Sequence, residues 1–167
     1  KECSYCWKIE DLPEDHFSDR TLKSVSTWAR DLLEKVAELP WDRPINPTYV
    51  EVSFSNTCNF KCSYCTPHIS SKWMSEIVEH GSQWGCVSYN SIEHLAKDGK
   101  IPLEEDGNPY IEAFWKWWPD LKKDLRTFRI TGGEPLLSKN TMKVVDRLLA
   151  EPEPQLALAI NSNLGVP

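Results

Sequence analysis

Three short stretches of the chain alternate apolar and polar residues with the period of an extended strand. Residues 49–56, YVEVSFSN, put Val50, Val52 and Phe54 on one side and Glu51, Ser53 and Ser55 on the other. RTFRIT (126–131) and QLALAIN (155–161) read as a second and a third strand. Between and before them the period lengthens. From about Arg20 to Leu39 the apolar positions Leu22, Val25, Trp28, Leu32, Val36 and Leu39 recur at helical steps, which predicts one amphipathic helix ended by Pro40. TPHISSKWMSEIVEHG predicts a helix starting near Pro67, with Ile69, Trp73, Ile77 and His80 on one face and Gly81 at its end. YIEAFWKWWPDLKKDL predicts a helix broken at Pro119, and SKNTMKVVDRLLAEP a helix capped by Ser138. Residues 1–19 read as irregular, 41–48 as a linker, and 81–109 as an insertion with short helical pieces. Strands that alternate with helices imply an α/β fold: parallel strands with helices packed outside, as in an open sheet or a barrel.

A chain of 167 residues can bury a real core, and length alone suggests one domain with a small appendage. The lack of an initiator Met and an end at NSNLGVP, directly after a strand, lead us to expect a fragment. With 19 Lys and Arg against 25 Asp and Glu, the net charge of −6 provides no global field for polyanions, so nucleic acid is a disfavoured partner. No apolar run reaches the ~20 residues of a bilayer crossing and no secretory signal opens the chain, which gives the expectation of a cytoplasmic, non-membrane protein. In a reducing compartment the six cysteines are expected to stay unpaired, and most of them have metal-ligand spacing. Cys86 stands apart and reads as a buried thiol, and the eight Trp residues read first as packing.

Candidate chemistry concentrates in CNFKCSYC, residues 58–65, a CxxxCxxC directly after the first strand. A helical stripe of small thiols is one reading, but the strand leaves no room for a helix to start before Cys58, so a loop is expected. Three thiols folded inward in a loop bind metal. A structural zinc site wants four ligands, and His68 can complete one with Cys58, Cys62 and Cys65. A 4Fe–4S cluster takes one thiolate per iron, so three cysteines leave one iron open to another ligand. An open cluster needs a neighbouring pocket, and TGGEP (131–135) ends the second strand on the side where parallel sheets gather ligands. Gly132 and Gly133 allow close main-chain approach, Glu134 offers an acceptor for an ammonium group, and Pro135 stiffens the turn. An ordinary strand-to-helix turn is the competing reading of GGEP.

CxxxCxxC after a first strand and GGEP after a second resemble the radical S-adenosylmethionine (radical SAM) superfamily over about Tyr49 to Asn163. The resemblance implies the first three strands of a partial (β/α) barrel. It further implies a 4Fe–4S cluster on Cys58, Cys62 and Cys65, with S-adenosyl-L-methionine chelating the fourth iron. Tyr64 would lie beside the adenine, Gly132, Gly133, Glu134 and Pro135 would receive the methionine amino group, and Asn161, Ser162 and Asn163 would contact ribose or carboxylate. The implied reaction is reductive cleavage of S-adenosylmethionine to a 5'-deoxyadenosyl radical that abstracts hydrogen from a substrate. A reductant such as a flavodoxin or ferredoxin is the implied partner.

The Cys3–Cys6 CxxC resembles the tail of a twitch or SPASM-type auxiliary-cluster domain, with a zinc remnant or two free thiols as alternatives. This suggests two regions: residues 1–48, the end of an auxiliary region plus a linker helix, and residues 49–167, the N-terminal part of the catalytic core. Relatives with such domains suggest a peptide or protein substrate. The competing class is a zinc-stabilised interaction module without catalysis, in which the Trp-rich segment from Tyr110 to Trp118 binds a partner. No residue is marked as a catalytic acid, base or radical relay.

Overall fold

The computed structural model describes residues 3–13, 16–82 and 91–166. Cys86 and part of the expected insertion lie outside the described residues. Its centre is a parallel sheet of three strands in the order β1-β2-β3, formed by β1 (Tyr49–Ser53), β2 (Thr127–Thr131) and β3 (Ala157–Ile160). Tyr49 to Ser53 pair in register with Thr127 to Thr131, and Thr127 to Ile130 with Ala157 to Ile160. The alternation seen in the sequence becomes the two faces of this sheet. Phe128 and Ile130 are fully buried on one face, with Val50, Val52 and Ile160 packed against the same cluster. The other face carries Glu51, Ser53, Arg129 and Thr131.

The buried face is covered mainly by α6 (Pro109–Asp124) and α7 (Lys139–Ala150). Ile111, Phe114, Trp118 and Leu121 form the inward stripe of α6. The Phe114 ring stacks on Phe128 at 5.8 Å and Trp118 tilts against it at 5.4 Å. Asn108 caps α6 by accepting from the Tyr110 amide at 3.0 Å, and Ser138 caps α7 by accepting from the Asn140 and Thr141 amides at 3.2 and 3.4 Å.

The helix expected to break at Pro119 runs through it. Pro119 is exposed, while Trp118 and Leu121 beside it are buried, so tertiary packing of those side chains outweighs the one main-chain hydrogen bond that proline removes. The segment that the Cys65–Gly81 spacing marks as helical begins later than Pro67, as α4 (Ser71–His80), because Ser70 caps it by accepting from the Trp73 amide at 3.4 Å. In the insertion a short helix, α5 (Ile92–Lys97), buries Leu95.

The front segment departs furthest from the sequence pattern. Residues expected to be irregular contain a helix, α1 (Ser4–Glu10), and the single helix expected over 20–39 is two, α2 (Asp19–Ser24) and α3 (Thr27–Ala37). Ser26 is extended at ψ 145° and starts the second helix, and the Ser24 hydroxyl donates back to the Arg20 carbonyl at 2.7 Å. None of these three helices contains a fully buried residue, and Leu22 and Val25 of the apolar stripe are exposed. Polar contacts hold them instead. Glu10 accepts from Arg20 Nε at 2.8 Å and from Thr21 Oγ1 at 3.0 Å, and also from Ser18. The segment meets the sheet where the Trp28 and Tyr49 rings lie 4.8 Å apart and where Thr48 donates to the Trp28 carbonyl.

Two outcomes follow. Replacing Phe128 by Ala should cost about 3–5 kcal/mol, seen as a lower urea midpoint, whereas Lys116→Ala on the exposed side of α6 should stay within about 0.5 kcal/mol. Hydrogen bonding to Arg20, then to Ser18, holds the Glu10 carboxyl down at about 2 from an ordinary 4.5. A folded-state value below the unfolded one stabilises above the ordinary value and is lost as pH falls through the folded one. The docking of α1 on α2 should therefore persist at neutral pH and loosen between about 4.5 and 2, read as faster amide exchange in 4–24.

Candidate functional site

Beyond Ser53 the first strand does not turn away at once. Its extension, Phe54 to Thr57, runs beside the turn that ends β2, where the Gly133 amide donates to the Ser55 carbonyl at 3.2 Å and the Glu134 amide to the Thr57 carbonyl at 2.7 Å. These bonds continue the β1–β2 pairing past both strands and place the cysteine loop next to GGEP. The two glycines make that approach possible. Gly132 has φ +117°, and a Cβ there would meet Ser53 Oγ at 2.5 Å and the Ser55 carbonyl oxygen at 2.6 Å. At Gly133 a Cβ would meet the Asn56 carbonyl oxygen at 2.5 Å and would press on that of Thr57.

CNFKCSYC is a loop, as its position after a strand predicts. It is clamped by the head of α4. Cys58 N donates to Ser71 Oγ at 2.9 Å, Ser70 Oγ donates to the Phe60 carbonyl at 3.0 Å, and Trp73 Nε1 donates to the Cys62 carbonyl at 2.9 Å. The Ser71 amide reaches the Asn56 carbonyl at 2.8 Å, and Lys61 pairs with Glu76 on α4. Sequence reasoning named none of Lys61, Ser70, Ser71, Trp73 and Glu76 as part of the site. A Ser-Ser pair starting five residues after a cysteine cluster has no period to expose it.

Cys58 is buried, and Cys62 and Cys65 are half-buried. Burial pushes the Cys65 thiol above its ordinary range, and the neighbouring Cys62 and Cys58 push it further, so the three sulfurs share one electrostatic environment. Tyr64 is 84% exposed over this group. A hydrogen bond with Cys62, then the charge of Cys62 and Cys65, raises its hydroxyl. Among the described residues no three His, Cys, Asp or Glu side chains stand close enough to hold one metal ion. His68, the ligand that would complete a zinc site, is bonded to Thr66 Oγ1 through Nδ1 at 2.9 Å. Three thiols on one clamped loop supply three of the four donors that a 4Fe–4S cluster takes.

Glu134, expected to offer an acceptor to an ammonium group, has its carboxylate inside the protein at 1% exposure. It accepts from the Leu136 amide at 3.0 Å, from Ser162 Oγ at 2.8 Å and from the Asn163 amide at 2.7 Å. Pro135 is buried and opens a short 3-10 turn, Pro135–Leu137. Asn161 continues the sheet, its amide donating to the Ile130 carbonyl at 3.0 Å. Asn163 Nδ2 donates to Asn59 Oδ1 at 3.0 Å, which links the NSN turn directly to the cysteine loop. The structure thus brings CNFKCSYC, GGEP and NSN together at the C-terminal ends of three adjacent parallel strands. Cys3 and Cys6 lie on or next to α1, apart from this group and within electrostatic reach of Arg20.

The chain is similar to several curated proteins named GTP 3',8-cyclase. That of Sinorhizobium medicae is 31% identical over 129 residues, 76% of this chain and 28% of that protein. That of Streptomyces coelicolor is 30% identical over 115 residues, 68% of this chain and 26% of that protein. That of a Cyanothece species is 26% identical over 117 residues, 70% of this chain and 28% of that protein. The chain thus spans 28% or less of the length of these relatives. No family model matches it, and no solved structure matches it significantly. Among the described residues no helix is long and apolar enough to cross a membrane.

Because a Cβ at position 133 has no free volume, Gly133→Ala should force the two strand ends apart. A loss of about 1–3 kcal/mol is expected, measured by thermal unfolding.

Proposed function

We propose, from the premise that this chain is a member of the radical SAM superfamily, that it forms the cofactor-binding part of a radical SAM enzyme. The observation that carries the reading is the hydrogen-bonded junction of a three-cysteine loop with GGEP at neighbouring strand ends. In this reading Cys58, Cys62 and Cys65 hold three irons of a 4Fe–4S cluster and leave the fourth to the amino and carboxylate groups of S-adenosylmethionine. When bound, the pair supplies reductive cleavage of S-adenosylmethionine and a 5'-deoxyadenosyl radical for hydrogen abstraction from substrate.

The protein's own part is placement. The α4 head holds the cysteine loop through main-chain carbonyls, so the thiols are left for metal. The turn Gly132–Pro135 presents its main chain to the methionine amino group, with Glu134 behind it. Tyr64, exposed over the thiols, suits an adenine neighbour, and Asn161, Ser162 and Asn163 form the third wall, toward ribose or carboxylate. The loop lies at the surface, within reach of a flavodoxin or ferredoxin.

By resemblance to auxiliary-cluster domains, Cys3 and Cys6 in region 1–48 would serve as ligands of a second cluster, and that resemblance implies a peptide or protein as substrate. The names of the relatives support a second reading, in which the substrate is GTP. Consumption of S-adenosylmethionine stimulated by GTP, and by no peptide, would select the second.

Anaerobic reconstitution of the full-length protein should yield a brown product with about four iron and four sulfide at this site. Cys58→Ser, Cys62→Ser and Cys65→Ser should each lose it, and His68→Ala should retain it. A colourless protein that binds one zinc, and releases it on His68→Ala, would overturn the proposal.

A further inference from the structure

Resting on that reading of the site, we infer that Glu134 is a positioning residue: its buried carboxylate locks the turn after β3, and through Asn163 and Asn59 this lock sets the cysteine loop against GGEP. Three donors converge on the carboxylate, from Leu136, Ser162 and Asn163. A carboxylate is the side chain that can accept from all of them, since a Gln would turn its own N–H donors toward one. The lock continues outward. Asn163 Oδ1 accepts from the Gly165 amide at 2.7 Å while its Nδ2 donates to Asn59 Oδ1 at 3.0 Å, and Asn59 Nδ2 donates to the Gly165 carbonyl at 2.6 Å. Asn59, Asn163 and Gly165 thereby close a ring of hydrogen bonds between the third strand end and the residue directly after Cys58.

Two further features show that this turn is held rather than relaxed. Leu164 is the only non-glycine among the described residues with positive φ, at 56°, and its side chain is exposed, so burial does not stabilise that conformation. Its amide is bonded to Ser162 Oγ at 2.8 Å, and that same hydroxyl donates to Glu134. Gly165 packs so closely on the Phe60 ring of the cysteine loop that a Cβ would lie 2.7 Å from it. The strained turn is therefore wedged between Glu134 on one side and the cysteine loop on the other. With 1% exposure, Glu134 acts on a bound ligand through this frame and not by touching it.

The test uses the full-length protein and the variants Glu134→Gln, Asn163→Ala and Asn59→Ala. Without cofactor, Glu134→Gln should speed amide exchange at Asn163 and, at a distance, in 58–62, by about tenfold, the scale of one lost buried hydrogen bond. With the cluster reconstituted, S-adenosylmethionine affinity is read from the change in the reduced cluster's EPR signal. Each single variant should bind about tenfold more weakly, and Glu134→Gln/Asn163→Ala no more than about twofold worse than the weaker single, because both break one lock. If Glu134→Gln weakens binding while Asn59→Ala and Asn163→Ala bind normally and exchange in 58–62 is unchanged, Glu134 is a direct ligand and the inference fails. If the unmodified protein assembles no cluster, the reading of the site fails, yet exchange in 58–62 still decides the lock. Should Glu134→Gln not fold, Asn59→Ala, which keeps the carboxylate and is assigned no ligand contact, carries both measurements.

Discussion

The whole arrangement depends on two main-chain hydrogen bonds past the end of the sheet, from Gly133 to Ser55 and from Glu134 to Thr57. They exist because neither glycine has a Cβ, and a methyl group at either position would collide with strand backbone. Given that contact, the cysteine loop cannot lie elsewhere than against GGEP. Without it the cysteine loop would keep its clamp on α4 but lose its alignment with GGEP.

Around this junction the protein places its polar groups by strict accounting. The carboxylate of Glu134 is buried but fully engaged, so its desolvation is offset by charge-assisted hydrogen bonds. The carbonyls of Phe60 and Cys62 are taken by Ser70 and Trp73. Loops that must hold a group in fixed geometry need this kind of support, since a side chain positioned by a free loop would lose the orientation that cofactor chemistry requires.

The covering helices supply rigidity from the opposite face. Phe114, Trp118 and Phe128 form one aromatic contact set beneath β2, the central strand that carries GGEP at its end. The insertion is tied into the same layer: Glu105 accepts from Ser138 at 3.1 Å and from Asn140 at 2.6 Å at the head of α7, and Asn140 accepts from Trp115 at 2.8 Å. The front segment differs in kind, being held by ion pairs and capping groups over an exposed surface.

The sequence by itself determined the three strands, most of the helices between them and the loop character of CNFKCSYC. Those features depend on local period, caps and side-chain type, all of which are written in consecutive residues. It could not show that α6 would pass through Pro119, because the deciding energy is burial of Trp118 and Leu121 against distant strands. Nor could it divide the helix over 20–39, whose apolar stripe is only partly covered, with Trp28, Leu32 and Val36 half-buried and Leu22 and Val25 exposed. Only the tertiary structure decided that Glu134 faces inward and that Asn59 meets Asn163, since those contacts join residues about a hundred or a few tens apart in the chain and depend on the parallel register that aligns three strand ends.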